Sequence, residues 1–233
     1  MRGEGPPRAV VFDFDGTLID SLPLVLAAIR HAIEPFGGRP TMNIFAHLGG
    51  PPSRFLASLV DDPRHVPEAL RRLTAYHREN VHLIRPFAGA RELLMSLQEA
   101  GVKSAVWTGR DRASANSLLR QHRLDGLLAA LVCGDDLPSH KPDPAGLRAI
   151  LRRLELNADE AVLVGDADVD ILGANSCGMP AVLIRQDGAV PAEMRALSCQ
   201  VVADPAEAFA WVRRRVGLPP PSQFDRPSEA GAE

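Results

Sequence analysis

Cysteine is scarce in this chain, three residues in 233: Cys133, Cys177 and Cys199. Their spacing fits no metal-ligand pattern and an odd number makes no disulfide framework, so they read as small buried hydrophobes in a reducing compartment. Long apolar runs are missing too. No stretch approaches the roughly 18 residues that a membrane-crossing helix needs, and the opening Met1-Arg2-Gly3-Glu4-Gly5-Pro6-Pro7 lacks the apolar centre of a secretory signal. These absences predict a cytoplasmic protein with no membrane partner. Excess positive charge is also absent. A formal net charge of −3 leaves no footprint for nucleic acid, and the local Arg213-Arg214-Arg215 run reads as a solvated helix end. There is no internal repeat. The length suits one large domain, or a domain carrying an insertion.

What is present is alternation. Strand-like runs near 8–13, 103–108, 130–133, 161–165 and 181–184 alternate with helix-like stretches near 88–100, 111–123, 143–154, 168–177 and 205–215. That order predicts an α/β fold, a mostly parallel, doubly wound sheet with helices on both faces. Residues 19–85 depart from it. Leu22, Leu26, Ile29 and Ile33 recur at spacings of three and four, and Phe55, Leu59, Leu70 and Leu73 continue the helical theme. Gly37-Gly38 and Gly49-Gly50-Pro51-Pro52 punctuate it, with no β signal between. The expected organisation is a discontinuous core, 1–18 with 86–217, an all-helical insertion at 19–85, and a disordered tail from Leu218 to Glu233, opened by Pro219-Pro220-Pro221.

The run Val10-Val11-Phe12-Asp13-Phe14-Asp15-Gly16-Thr17-Leu18 carries the most information. It reads as a short buried strand, with Asp13 and Asp15 on the same side at its carboxyl end, where open α/β sheets hold ligands. Asp15-Gly16 alone reads as an ordinary turn. Two carboxylates so placed repel each other, which packing does not explain. One can serve as a nucleophile and the other as an acid/base, with a divalent cation relieving the repulsion. Three further features follow in order. The apolar run 102–107 ends at Thr108-Gly109; Lys141 lies in Lys141-Pro142-Asp143-Pro144; and the run from Ala161 ends in Gly165-Asp166-Ala167-Asp168-Val169-Asp170.

This layout resembles the haloacid dehalogenase-like superfamily, in its branch of phosphoglycolate phosphatase and pyrophosphatase-like enzymes with a small helical cap. The motifs that carry the resemblance are the DxDGT strand end at Asp13–Thr17, the hydroxyl strand end at Thr108, Lys141, and the GDxxxD loop from Gly165 to Asp170. The resemblance covers about residues 8 to 215. It implies a Rossmann-like core, with 19–85 as the cap, and a Mg²⁺-dependent phosphatase acting on a small phosphorylated metabolite through an aspartyl phosphate.

By that resemblance Asp13 is the nucleophile, and Asp15 protonates the leaving oxygen and then deprotonates water. A true dehalogenase lacks the second aspartate, so Asp15 favours phosphate ester chemistry. Asp13, the Asp15 backbone carbonyl and Asp166 would form the hard oxygen site for Mg²⁺, with Asp170 as a further ligand or support. Asp168 is expected to cap the following helix. Thr108 would bind a phosphate oxygen, and Lys141 would neutralise the nucleophile and the transferring group. Gly109 stands where many relatives carry Asn. Arg110 either compensates for this or pairs at the surface with Asp111 or Asp135. In the cap, Arg54 is the candidate reader of the substrate's non-phosphate end, ahead of Arg39 and His47. The remaining histidines, His77 among them, read as structural or exposed, Trp107 as a core aromatic. The alternatives are a phosphosugar mutase of the β-phosphoglucomutase type, and a non-catalytic binding module on the same scaffold.

Overall fold

The computed structural model describes residues 5–38, 55–185 and 190–220. Its centre is a six-stranded parallel sheet. The strands are β1 (Ala9–Phe12), β2 (Lys103–Trp107), β3 (Ala130–Val132), β4 (Ala161–Gly165), β5 (Ala181–Ile184) and β6 (Gln200–Val202). Their order across the sheet is β3-β2-β1-β4-β5-β6. The sheet therefore winds outward from β1 in both directions, and the crevice beyond the carboxyl end of β1 is the switch point where such folds place ligands.

β1 is apolar at every position because both its faces are covered. Val10 and Phe12 join one core with Leu93, Leu94 and Leu97 of α3 (Ala90–Glu99), Leu118 and Leu119 of α4 (Arg112–Gln121), and Phe209 and Val212 of α8 (Pro205–Val216). Ala9 and Val11 join the other with Leu147, Ile150 and Leu154 of α5 (Ala145–Leu154) and Ile171 and Ala174 of α6 (Asp168–Cys177). The α/β architecture expected from the alternation is the one observed.

Between β1 and α3 lie α1 (Leu22–Ile33) and α2 (Val66–Asn80), which close a third, separate core. Ile29, Ala32 and Ile33 pack there against Leu56, Val60 and Ala69. Arg72 of α2 donates across to the His31 carbonyl at 3.0 Å. The insertion is not free of β structure. Ile19–Asp20 pairs antiparallel with Arg85–Pro86 where the chain leaves and rejoins the core, since two extended neighbouring connections can pair their backbones.

Other details also differ from the sequence reading. A short helix, α7 (Ala192–Leu197), and the edge strand β6 were not foreseen. Three residues, two of them partly or wholly exposed, are too few to show a period. The expected tail starts late: the Leu218 N–H donates to the Arg213 carbonyl at 2.8 Å, and the Leu218 side chain packs on the core. Residues 221–233 lie outside the described residues. Of the cysteines, Cys133 is buried, Cys177 is half-buried and Cys199 is exposed. Among the described residues no helix is long and apolar enough to cross a membrane.

Candidate active site

β1 delivers Asp13 to the crevice, and the Asp13 N–H extends the ladder by donating to the Val164 carbonyl at 2.8 Å. The chain then doubles back, with the N–H groups of Leu18 and Ile19 both donating to the Phe14 carbonyl. Gly16 makes that turn with φ +80°, and a Cβ there would collide with the Asp166 carboxylate. Both the backbone conformation and the close approach demand glycine. Thr17, fully buried, donates its hydroxyl to Asp166 Oδ1 at 3.1 Å. The first motif thus supplies a carboxylate and also fixes the carboxylate of the fourth.

Lys141 joins the motifs. Its Nζ donates to Asp13 Oδ1 and to Asp170 Oδ1, each at 2.6 Å. It also stands 4.7 Å from the centroid of the Trp107 ring, within cation–π range. Trp107 lies against Gly146 and Gly173, and a Cβ at either would collide with the indole. Thr108 ends β2 with its N–H on the Val132 carbonyl at 3.0 Å. Its Oγ1 accepts the Arg110 N–H at 3.0 Å, which leaves the hydroxyl hydrogen available to a ligand.

The acidic residues divide into two sets. Oxygens of Asp13, Asp166 and Asp170 lie within 4.8 Å of one another. Burial, with Asp170 close by, raises the Asp13 carboxyl to about 7, although Lys141 pulls the other way. Burial and the neighbouring Asp13 and Asp170 raise Asp166 well above its ordinary value. Lys141 stays protonated despite its burial, its pKa raised by Asp13 and Asp170. One ammonium faces three carboxylates, so negative charge is left over in a buried place, and hard oxygen donors in this number suit a divalent cation.

The Asp15 carboxylate stands apart from that cluster. The Arg110 guanidinium grips it from both sides, Nε donating to Oδ2 at 3.0 Å and Nη2 to Oδ1, while the Ser21 hydroxyl donates to Oδ1 as well. Burial alone would raise the Asp15 pKa; Arg110 and Ser21 outweigh it and hold the carboxyl below its ordinary value. This corrects the expectation for Arg110. Its side chain is only 9% exposed and pairs with Asp15, not with Asp111 or Asp135 at the surface. Nη1 donates to Ser114 Oγ at 2.9 Å and approaches His77 Nε2 at 3.4 Å. His77, read as structural or exposed, lines the cleft from α2, and burial together with Arg110 lowers its pKa.

Asp168 is corrected too. It is the first residue of α6 and pairs with Arg185. Asp170 supplies the cap instead, its Oδ2 accepting the Ala167 N–H at 3.1 Å while Oδ1 faces Lys141. Gly109 lines the cleft, with open space where a Cβ would stand. Arg54, Arg39 and His47 lie outside the described residues.

Asp13, Asp15, Thr108, Arg110, Lys141, Asp166 and Asp170 share one cleft of about 730 Å³ with the inserted helices. Asp13, Thr108, Lys141 and Asp166 line it from the core, and Leu22, Val25, Phe55, Leu73 and His77 from the cap. Such an arrangement can hold a phosphoryl group between a carboxylate nucleophile, an ammonium and a hydroxyl donor.

Residues 10–184 match the family described as haloacid dehalogenase-like hydrolase. A plasmid-encoded phosphoglycolate phosphatase of Cupriavidus necator is 31% identical over 212 residues, covering 88% of this chain and 92% of the relative. The pyrophosphatase PpaX of Halalkalibacterium halodurans is 30% identical over 184 residues, covering 76% of this chain and 83% of the relative. A crystal structure of a predicted phosphoglycolate phosphatase from Haemophilus somnus 129PT superimposes with a TM-score of 0.75 at 23% identity, covering 90% of this chain and 99% of the other. That likeness speaks for the fold.

Proposed function

The chain belongs to the haloacid dehalogenase-like hydrolases, and from that premise we propose that it is a Mg²⁺-dependent phosphatase hydrolysing a small phosphorylated metabolite through an aspartyl phosphate on Asp13. The observation that carries this reading is the contact of Lys141 with both Asp13 and Asp170, inside a cluster completed by Asp166. A carboxylate poised to attack phosphorus needs a cation at its side, and here it has one. The phosphatase and pyrophosphatase names of the relatives support the substrate class.

Asp13, Asp166 and Asp170 would hold the Mg²⁺ ion, because their oxygens are close, partly desolvated and short of positive charge. When bound, Mg²⁺ supplies positive charge to the phosphoryl oxygens. Asp13 attacks phosphorus, and the bond to the ester oxygen breaks. Lys141 and Thr108 bind the phosphoryl oxygens on the sides they face. Asp15, which must first take up a proton from solvent, gives it to the departing oxygen and then takes one from the water that cleaves the aspartyl phosphate. The Arg110 fork favours ionised Asp15, the form needed for the second step. Cysteine usage, with three thiols and no framework, supports a cytoplasmic location.

The test is a screen of phosphorylated metabolites with purified protein and Mg²⁺, run beside Asp13→Asn. Wild-type turnover should vanish in the variant, since an amide is neither a competent nucleophile nor a good ligand for a hard cation. Variant activity within about tenfold of wild type, against an expected loss far larger than one residue's binding contribution, overturns the assignment.

A further inference from the structure

Helix α1 is apolar on more than the one side that closes the cap core. Between Leu22 and Ile29 it carries no charged residue. A helix packed on one side needs one apolar stripe, and α1 has that stripe in Ile29, Ala32 and Ile33, which close the cap core. A second stripe, Leu22, Val25 and Ala28, recurs every three residues and lines the catalytic cleft. Leu73 and Phe55 continue this surface from the rest of the cap, and Leu137 faces the same space from the core. Ala28 is buried, and Val25, Phe55 and Leu73 rest partly on the cap core, so that Leu22, Val25 and Leu73, each half-buried, also present apolar surface to the cleft.

The same cleft holds Asp13, Thr108, Lys141 and Asp166. A phosphate ester with its phosphorus at Asp13 must therefore place its alcohol part in the remaining space. The volume, about 730 Å³, is of the size that accepts a ligand far larger than a two-carbon acid. Among the described residues, two of the cations that line the cleft are already engaged. Arg110 is committed to Asp15, Ser114 and His77. Lys141 is committed to Asp13 and Asp170. Among the described lining residues Arg78 remains, on the exposed side of α2.

Resting on the phosphatase reading, we infer that the alcohol part of the substrate is apolar and longer than the two-carbon glycolate, and that Leu22, Val25 and Leu73 select it. Removing this wall from water on binding gives a gain that grows with each added methylene.

Straight-chain phosphate monoesters test this, because ethyl, butyl and hexyl phosphate have leaving groups of nearly equal basicity. With Mg²⁺ and the full chain, KM should fall at least about tenfold from ethyl to hexyl phosphate, and hexyl phosphate should exceed phosphoglycolate in kcat/KM. Val25→Thr, close in shape but polar, should shrink the hexyl-to-ethyl ratio of kcat/KM by about threefold or more, and Leu73→Asn should do the same by an independent route. Calorimetric binding of ethyl- and hexylphosphonate, which are not hydrolysed, gives a readout free of turnover. Phosphonate affinities that do not rise with chain length, or a preference for phosphoglycolate over hexyl phosphate, overturn the inference and leave the phosphatase reading intact. No hydrolysis of any ester overturns the phosphatase reading, while the phosphonate series still decides what the cleft binds.

Discussion

Arg110 lays its guanidinium across both oxygens of Asp15, with Nε 3.0 Å from Oδ2, and so ties the loop after β2 to the loop after β1. Five donors in a rigid fork suit a carboxylate in a way that a lysine cannot match. The fork aims Asp15 and fills the space beside Thr108, whose hydroxyl accepts the Arg110 N–H. His77 reaches the same guanidinium from the cap.

Replacing Arg110 should therefore misplace Asp15. Arg110→Gln is expected to lower kcat on alkyl phosphates by roughly 10²-fold, the usual scale for a displaced catalytic group. Aryl phosphates should suffer less, because their leaving groups need little help from a proton. Parallel assays of ethyl and p-nitrophenyl phosphate check this, and equal losses on both would remove Asp15 from the leaving-group step.

Activity should require Mg²⁺, and Ca²⁺ should replace it with at least about a tenfold loss, since Ca²⁺ takes more ligands at longer distances and relaxes in-line geometry. Asp166→Ala should raise the Mg²⁺ concentration for half-activity more than Asp170→Ala does. The second variant should also cut kcat at saturating Mg²⁺, because Asp170 holds Lys141. Metal titrations of the three proteins separate these effects.

Burial raises Asp13 from 3.8 to about 7 and raises Asp166 in the same direction. Between those two pH values the native metal-free site keeps protons that the unfolded chain has released, so stability falls as pH rises through that window. Tm of the chelator-treated protein should be lower at pH 8 than at pH 5, with a shallower slope in Asp13→Asn. Added Mg²⁺ should raise Tm more at pH 8 than at pH 5. Thermal scans at the two pH values decide it, and a metal-free Tm that climbs with pH contradicts the carboxylate assignment.

Trp107 should matter beyond packing, since its ring faces the Lys141 ammonium at 4.7 Å. Trp107→Leu is expected to lower kcat by about 3- to 30-fold, the worth of a cation–π contact at a partly desolvated site, and Trp107→Phe should recover part of it. Equal kcat in Leu and Phe variants of equal Tm would reduce Trp107 to a core residue.

The sheet was legible because strands buried on both faces must be written as unbroken apolar runs, as β1, β4 and β5 are. Asp13, Thr108 and Lys141 could be singled out because each stands where such a run, or a proline-framed loop, ends. The partners of Asp15 could not. Arg110 lies 95 residues away in sequence, and its fork exists only because β1 and β2 are neighbours. A cation just after a strand-ending hydroxyl was the available signal, and a surface pairing with nearby Asp111 satisfied it equally well. Asp168 and Asp170 were confused for a local reason: both fall in the first turn of α6, and the choice between them turns on which side chain reaches back to the Ala167 N–H. The edge strand β6 was too short to leave a pattern.

The position of β1 also sets the timing of synthesis. Ala9 pairs with Lys103 on one side and Ala161 on the other, so the first strand made lies in the middle of the sheet and waits longest for its neighbours. A ribosome must pass residue 165 before both edges of β1 are satisfied, while α1 and α2 can close their own small core much earlier. Until then a fully apolar strand waits with open edges, the kind of segment that aggregates or recruits chaperones in a nascent chain. Slow translation between the insertion and β4 would lengthen that exposure, and a circular permutant opening between β1 and α1 would shorten it.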